Sequence, residues 1–380
     1  MEYKENCKMK KLKDIDRFWY NWAYLLLIIV CIFSNVFYVQ LGKVLYLYPD
    51  YEFSGKTEIH FIDVGEGDCI AIKFDNDEVM LIDSGIESYY KKLVSYLDNI
   101  VLQGRNKIDY LVLTHIDADH SGNLNAIINR YDVEVFYRPP VKATCEGGSY
   151  DETNIVFDKI ISNSISKNIT MVNNESGLSL QVSNCKLEWL SPINVEDKAD
   201  VSSNNYSAVI KLIDQEKTAL FTGDIDINVE NELLNIYGNN IDVDILKVAH
   251  HGSSSSTSQQ FLDTITPDYA FISVGENSYG HPSTDVYERI ARYDDKFNKN
   301  LLSNTFITKT IGNIFVVLDN DILINNIKNI DAYAFVDYYI YSIIAIIFLL
   351  ICMGIPYYRP FIKEMRFYFQ NKRFERQNRQ

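Results

Sequence analysis

Positive charge is in short supply in this 380-residue chain: 36 Lys and Arg stand against 51 Asp and Glu, a net charge of −15. That balance argues against a protein that coats nucleic acid, because such binding comes from neutralising phosphates. No Lys/Arg run with interleaved aromatics lies near the motifs described below. There is no repeat of fixed period and no low-complexity tract. Cysteine is sparse too. Of six, Cys31 and Cys352 sit in long apolar stretches and Cys7 in the N-terminal tail. Cys69, Cys145 and Cys185 remain, an odd number, so no disulfide framework is visible; one bridge, Cys145–Cys185, could form. Histidine is equally scarce, with six in all.

What the chain does have is two uncharged apolar runs, 19–41 and 338–357, and about 20 residues suffice to cross a bilayer. Trp19, Tyr20 and Trp22 flank the first; Tyr338, Tyr339, Tyr357 and Tyr358 flank the second, as interfacial aromatics do. The alternatives are a cleaved signal peptide for the first, which lacks a small-x-small site after it, and a buried core helix for the second. Residues 1–17 hold six Lys/Arg against four Asp/Glu, and residues 358–380 seven against two, which leaves −22 on residues 18–357. By the positive-inside rule the tails 1–18 and 358–380 are cytoplasmic. The expectation is a protein of the cytoplasmic membrane with its central domain outside the cytoplasm.

Residues 57–326 read as one domain of mixed α and β structure. Glu58–Asp63 and Ile70–Phe74 pair around the turn Gly65–Asp68, and Val79–Ile82 stops abruptly at Asp83-Ser84-Gly85. A helical pattern follows over 87–101, then a buried strand at Tyr110–Leu113 and a helix near Ser121. Residues 139–176 are polar and turn-rich, which predicts an excursion over the surface. The second half repeats the logic. Strands at Ala208–Ile213, Thr218–Phe221, Asp244–Ala249 and Tyr269–Val274 alternate with helices near 226–237, 257–264 and 283–294. Two such halves predict two sheets sandwiched between helices.

Four of the six histidines fall in polar clusters directly after apolar strands, and His281 comes after the strand Tyr269–Val274, in Tyr279-Gly280-His281-Pro282; His60 lies inside a strand and reads as structural. The first cluster is Thr114-His115-Ile116-Asp117-Ala118-Asp119-His120. Imidazole and carboxylate are ligands for Zn²⁺ or Mn²⁺, and a loop can bring four of them to one point where a regular helix or strand would scatter them. Capping of the next helix explains one or two of these residues, not four. Gly223-Asp224 is a weak second cluster. The third, His250-His251-Gly252 followed by Ser253–Ser256, pairs two histidines with a donor-rich loop.

In this order, Asp83 after a strand, the His115–His120 cluster, Asp224 and His250-His251-Gly252 resemble the metallo-β-lactamase fold superfamily. Within it the chain is most similar to the C-terminal, nuclease-type domain of ComEC-type competence proteins, which take up DNA. It shares their Asp-Val-Gly-x-Gly-Asp (Asp63 to Asp68), Thr-His-x-Asp-x-Asp-His, Gly-Asp, His-His-Gly-Ser and late Tyr-Gly-His-Pro (Tyr279 to Pro282). The resemblance covers about residues 57–325 and not the many-helix channel of that family.

It implies a four-layer αββα sandwich, here with one transmembrane helix on each side, and two divalent ions, Zn²⁺ or Mn²⁺, with no organic cofactor. His115 and Asp117 would hold one ion. Asp119, His120 and one of His250 and His251 would hold the other, and Asp224 would bridge them. Asp83 and Asp119 would orient ligands or water, and His281 would donate to the substrate phosphate or leaving oxygen. Ser253, Ser254 and Asn205, with the amides of the 252–256 loop and of the helix start near Ser121, would contact substrate. The chain departs from the general pattern at Asp117, where a second histidine is usual, and at Asn204-Asn205, where a further histidine is expected. More oxygen donors shift preference from Zn²⁺ toward Mn²⁺ and bring single-metal operation into play.

The expected activity is hydrolysis of DNA phosphodiesters. The −22 charge repels a polyanion unless a local groove offsets it, so hydrolysis of a cell-envelope phosphodiester or small ester is a rival of the same chemistry. A non-catalytic metal-binding signalling or scaffold protein is a rival of another class.

Overall fold

The computed structural model describes residues 51–140, 152–193 and 203–327, with Trp22, 25–29, Ile32 and Ile347. The chain divides into a compact unit, Tyr51–Ile330, and a second unit made of residues 1–50 and 331–380. The proposed spans and basic tails fall in the second unit and, those single positions aside, lie outside the described residues. Among the described residues no helix is long and apolar enough to cross a membrane.

The larger unit opens with β1 (Thr57–Phe61), β2 (Ile70–Lys73) and β3 (Val79–Ile82), an antiparallel meander of wholly buried strands. A helical stretch follows over Glu87–Val101, as the apolar spacing predicts, with α1 (Tyr90–Tyr96) at its centre. After it β4 (Lys107–Val112) joins β3 in parallel. The segment after β4 turns through α2 (Ala118–Ser121) and α3 (Leu124–Arg130) to β5 (Asp132–Arg138).

The expected surface excursion over 139–176 is a correction. It contains α4 (Glu152–Ser166) and β6 (Thr170–Asn173), which pairs in parallel with β5. Phe157, Ile160 and Ser164 recur at three- and four-residue spacing and are buried, a helical stripe masked by the polar residues around it. The strand order of this first sheet is β15-β14-β1-β2-β3-β4-β5-β6, closed on one side by β14 (Asn313–Leu318) and β15 (Ile322–Ile327).

The second sheet runs β13-β12-β11-β10-β9-β8-β7. Its antiparallel side is β7 (Ser179–Val182), β8 (Cys185–Ser191), β9 (Val209–Asp214) and β10 (Lys217–Phe221). Its parallel side continues through β11 (Ile245–Lys247), β12 (Tyr269–Ile272) and β13 (Thr305–Ile307). The helices between them are α5 (Ile227–Tyr237), α6 (Gln259–Ile265) and α7 (Thr284–Phe297), followed by the single turn α8 (Thr308–Ile311).

Three apolar cores define the layers. Ile59, Phe61, Ile72, Trp189 and Phe271 fill the space between the sheets, where the rings of Phe61 and Phe271 stack at 4.2 Å. Leu93, Leu97, Ile127 and Phe157 pack helices on the outer face of the first sheet. Val229, Leu233, Phe261 and Ile290 do so on the second. The result is the expected αββα sandwich, each sheet covered on both faces, which is why its strands are continuous apolar runs.

The alternate residues of β1 face away from the sheet seam and form a polar knot. His60 is buried, stacked 5.5 Å from Phe315, with Nδ1 3.0 Å from the Tyr96 hydroxyl and Nε2 3.3 Å from Glu58 Oε2. It makes none of the contacts of the site described below, in keeping with a structural role. Glu58 also accepts from the Tyr51 hydroxyl (2.5 Å) and from Ser54. Burial alone would raise the Glu58 carboxyl, but His60, Tyr51 and Ser54 lower it from 4.5 to about 2. A carboxyl depressed on folding stabilises the native state above its unfolded value, and that contribution disappears as pH falls through the folded one. The wild-type protein is therefore expected to lose urea resistance between pH 4.5 and 2. Glu58→Gln should start about 1–3 kcal/mol lower at neutral pH and lack the loss due to this group. Parallel curves for the two proteins through that window would remove Glu58 from the account.

The thiol of Cys185 is free and buried, 3.2 Å from Thr57 Oγ1, and burial pushes it up to about 12. The Cys145–Cys185 bridge is thus not formed from this side; Cys145 lies outside the described residues.

Candidate metal centre

Parallel strands release their loops at one edge of a sheet, and the site lies where the two such edges meet. Asp83 follows β3, the segment from Thr114 to His120 follows β4, Asp224 follows β10, and His250 and His251 follow β11. The ligand atoms of Asp119, His120, Asp224 and His251 lie within 4.8 Å of one another. His120 Nε2 is 3.3 Å from Asp224 Oδ2 and 3.8 Å from Asp119 Oδ2; His251 Nε2 is 3.2 Å and 3.1 Å from the same two oxygens. His115 lies alongside, its ring 4.1 Å from that of His120 and its Nε2 3.7 Å from Asp117 Oδ2. His115 and Asp117 stand as a pair, outside the four-residue group.

The hydrogen bonds fix which nitrogen each imidazole offers. Asp83 accepts from His120 Nδ1 at 2.7 Å and from the Thr114 hydroxyl at 2.7 Å. Since the Thr114 proton goes to Asp83, its oxygen accepts from His115 Nδ1 at 3.0 Å. His251 Nδ1 donates to the Ser273 carbonyl at 2.8 Å. All three rings are thus anchored through Nδ1 with Nε2 facing the carboxylates. This is how metal-ligating histidines are held. Among the described residues, buried His115 Nε2, His120 Nε2 and Asp224 Oδ1 have no hydrogen-bond partner, which a divalent cation would supply. The residues fit such an ion.

Charge tells the same story. Burial alone would lower the His120 imidazole, but Asp224, Asp119 and Asp83 raise it well above its usual range; Asp224 and Asp119 do the same for His251. Burial opposes ionisation of Asp119 and Asp224, yet His120 and His251 hold both carboxyls below the usual carboxylate range. Burial and neighbouring His120 lower His115.

The backbone is strained to achieve this. Asp83, His250 and His251 all have φ between 51° and 59°, a left-handed conformation rare for such side chains and concentrated at functional sites. Gly67 is required for packing: a Cβ there would stand 2.1 Å from the Asp119 carbonyl oxygen.

Other expected contacts resolve differently. Of the paired histidines, His251 joins the four-residue group; His250 Nε2 is 3.9 Å from Asp224 Oδ2 and its ring lies 5.7 Å from that of His281. Asp117 caps α2 without its side chain, so the capping alternative does not account for it; that carboxylate accepts from Ser203 Oγ at 2.5 Å. At the segment where a further histidine was expected, Ser207 Oγ lies 3.3 Å from His115 Nδ1 and accepts from Asp224 N. The amide of Asn205 faces the Asp226 carboxylate at the cap of α5; turned so that its nitrogen points to that carboxylate, it donates at 3.1 Å.

Several of the loop amides are already engaged. Those of Ser253, Ser255, Ser256 and Thr257 donate to His250 O, Ser253 Oγ, Ser253 O and Glu230, and Ser121 N to Asp117 O. The Ser253 hydroxyl is shared with Ser255, while Ser254 is exposed and its carbonyl is held by Arg289.

Two participants went unassigned in the sequence reading. Lys247, fully buried on β11, pairs with buried Asp68 and lies 3.9 Å from Asp224 Oδ1. Asp68, Asp83 and His120 also form a close trio, but Lys247 and the His120 Nδ1–H already occupy its carboxylates. The legible signal was a lysine in the apolar run Ile245-Leu246-Lys247-Val248, which has to be paired if buried.

A sequence profile of the metallo-β-lactamase superfamily matches residues 62–276. The chain belongs to that superfamily. It is 28% identical over 267 residues to ComE operon protein 3 of Bacillus subtilis, a match spanning 66% of this chain and 32% of that protein. Recombination protein 2 of Haemophilus influenzae is 28% identical over 284 residues, 74% of this chain and 30% of its own length. With Competence protein ComA of Neisseria gonorrhoeae, at 25% identity, these relatives are ComEC-type competence proteins. The match spans about a third of their length. Among solved structures, the metallo-β-lactamase fold protein YhfI from Bacillus subtilis aligns with a TM-score of 0.43 at 10% identity, covering 71% of this chain and 100% of that one. This superfamily member is a hydrolase built for divalent metal, with ComEC-type relatives.

Asp83→Asn tests the anchoring of His120. Asparagine tolerates the left-handed backbone but cannot accept the Nδ1 proton and the Thr114 bonds in the same way. Divalent-metal affinity, read by competition with a chromophoric chelator, is expected to fall about 10–100-fold. Wild-type affinity would show that the Asp83–His120 bond does not set the ligand.

Proposed function

We propose that the domain is a metal-dependent phosphodiesterase that cleaves DNA, held at the cytoplasmic membrane by segments 19–41 and 338–357 with its site outside the cytoplasm. The observation that carries the chemistry is the trio His115, His120 and His251, each anchored through Nδ1 and offering Nε2 to the carboxylates. His115 and Asp117 would hold one ion, Asp119, His120 and His251 the other, and Asp224 would lie between them. Bound there, divalent cations supply an activated water and offset the charge that builds on the phosphoryl oxygen.

Two ions suit the charge. Asp68, Asp83, Asp117, Asp119 and Asp224 bring five carboxylates against the one ammonium of Lys247, an excess of four. The carboxylate at Asp117 favours Mn²⁺ over Zn²⁺ for the first. Asp83 keeps the His120 lone pair directed inward. His281, beside His250, donates to the leaving oxygen. DNA as the substrate draws support from the ComEC-type relatives. The −22 charge favours a second reading, in which the same chemistry acts on a less charged cell-envelope phosphodiester.

The test is the full chain in detergent micelles with Mn²⁺ or Zn²⁺, offered single- and double-stranded DNA, bis-p-nitrophenyl phosphate and a β-lactam. Metal-dependent cleavage of the diesters and none of the β-lactam is expected. Tight metal binding without turnover of any of them would instead establish the scaffold reading. The topology has its own check: protease added to intact cells should digest residues 57–326, and digestion only after lysis would overturn it.

A further inference from the structure

Tyr279 is 77% exposed, more than any other large hydrophobic side chain among the described residues. It is not on a loose loop. Asn277 closes the turn from both sides, donating to the Gly275 and His281 carbonyls at 3.0 and 2.9 Å and accepting from the Gly280 and His281 amides at 2.9 and 3.0 Å. The Ser283 amide then donates to Gly252 O at 2.8 Å, tying this turn to the histidine loop. The Tyr279 ring lies 5.8 Å from that of His281 with 26° between their planes. His281 is 5.7 Å from His250, and His250 is 6.2 Å from His251. A row of rings therefore leads from solvent to the carboxylates.

The surroundings offer little to grip phosphates. Lys247 is buried against Asp68, Arg289 is held by the Ser254 and Ser256 carbonyls, and Lys309 pairs with Glu276. A nucleic acid approaching this acidic domain gains little from backbone neutralisation, the usual source of affinity. Stacking of bases on aromatic rings is the other source and does not depend on cations. The geometry points to Tyr279, backed by His281, as a shelf for the nucleobase next to the scissile phosphate. This rests on the phosphodiesterase reading above and makes Tyr279 a specificity-determining residue. A base must leave its own stack to lie on the shelf, so single strands and frayed ends are the substrate form it selects. Binding should respond weakly to salt.

The experiment compares a single-stranded oligothymidylate with an oligomer of the same length made of abasic tetrahydrofuran phosphodiesters, using the full chain with Mn²⁺. The wild type is expected to favour the base-bearing strand by roughly 5- to 150-fold in kcat/KM, the worth of one stacked base, expressed mainly in KM. Tyr279→Ala should bring that ratio near one, and Tyr279→Phe and Tyr279→Trp should keep it. Quenching of 2-aminopurine in a bound strand should follow the same order. Equal cleavage of both oligomers by the wild type, or an undiminished ratio in Tyr279→Ala, overturns the shelf and leaves the phosphodiesterase reading standing. Cleavage of neither oligomer overturns that reading and the shelf with it.

Discussion

Asp224→Ala is expected to abolish metal-dependent hydrolysis, a loss on the order of 10³-fold or more in kcat/KM. The reason is the position of one carboxylate. Its Oδ2 lies within 3.3 Å of both His120 Nε2 and His251 Nε2, and its charge acts on His115 as well. In the arrangement proposed above, removing it would take a ligand from either ion at once and would leave imidazoles facing one another without the charge that draws a cation between them. Metal content after gel filtration should fall together with turnover, while circular dichroism stays that of the wild type, since Asp224 belongs to a loop and not to a sheet. A variant that keeps its metal and its rate would show that this carboxylate is not the meeting point of the two halves.

Lys247→Met carries the largest expected effect on stability. Lys247 and Asp68 are both buried, and their ion pair is the main force opposing the cost of burying Asp68 as a carboxylate. Breaking a buried pair from one side strands the remaining charge, at a cost of about 3–5 kcal/mol, whereas replacing both members with apolar groups is often neutral. Denaturant unfolding should therefore rank Lys247→Met well below the wild type, with Asp68→Leu/Lys247→Met recovering most of the difference. A double variant as unstable as the single one would mean that the lysine acts through packing and not by neutralising Asp68.

The architecture was legible because strands covered on both faces are unbroken apolar runs, and each run ended at a polar cluster: Val79–Ile82 at Asp83, Thr218–Phe221 at Asp224, Asp244–Ala249 at His250. What escaped notice depends on partners distant in sequence. That His251 and not His250 joins the carboxylates goes with its Nδ1 bond to the Ser273 carbonyl, which adjacency does not reveal. Ser203 and Ser207 carry no motif, yet they meet Asp117 and His115 across some 90 residues. The serine loop looked like a set of free anion donors; the Ser253, Ser255 and Ser256 amides instead donate within the loop, to His250 O, Ser253 Oγ and Ser253 O. The excursion over 139–176 misled for the opposite reason, its buried stripe of Phe157, Ile160 and Ser164 being diluted by polar neighbours.

His115, Asp117, Asp119 and His120 hang from the first sheet, Asp224 and His251 from the second, and neither half carries a complete set. A cation gripped by both behaves as a clasp across the seam between them. Its affinity for the folded over the unfolded chain is added to the cohesion of the sandwich itself. Chelation would then slacken the whole joint and not merely silence the chemistry, so resistance to proteolysis in this domain becomes a gauge of how much metal its surroundings provide.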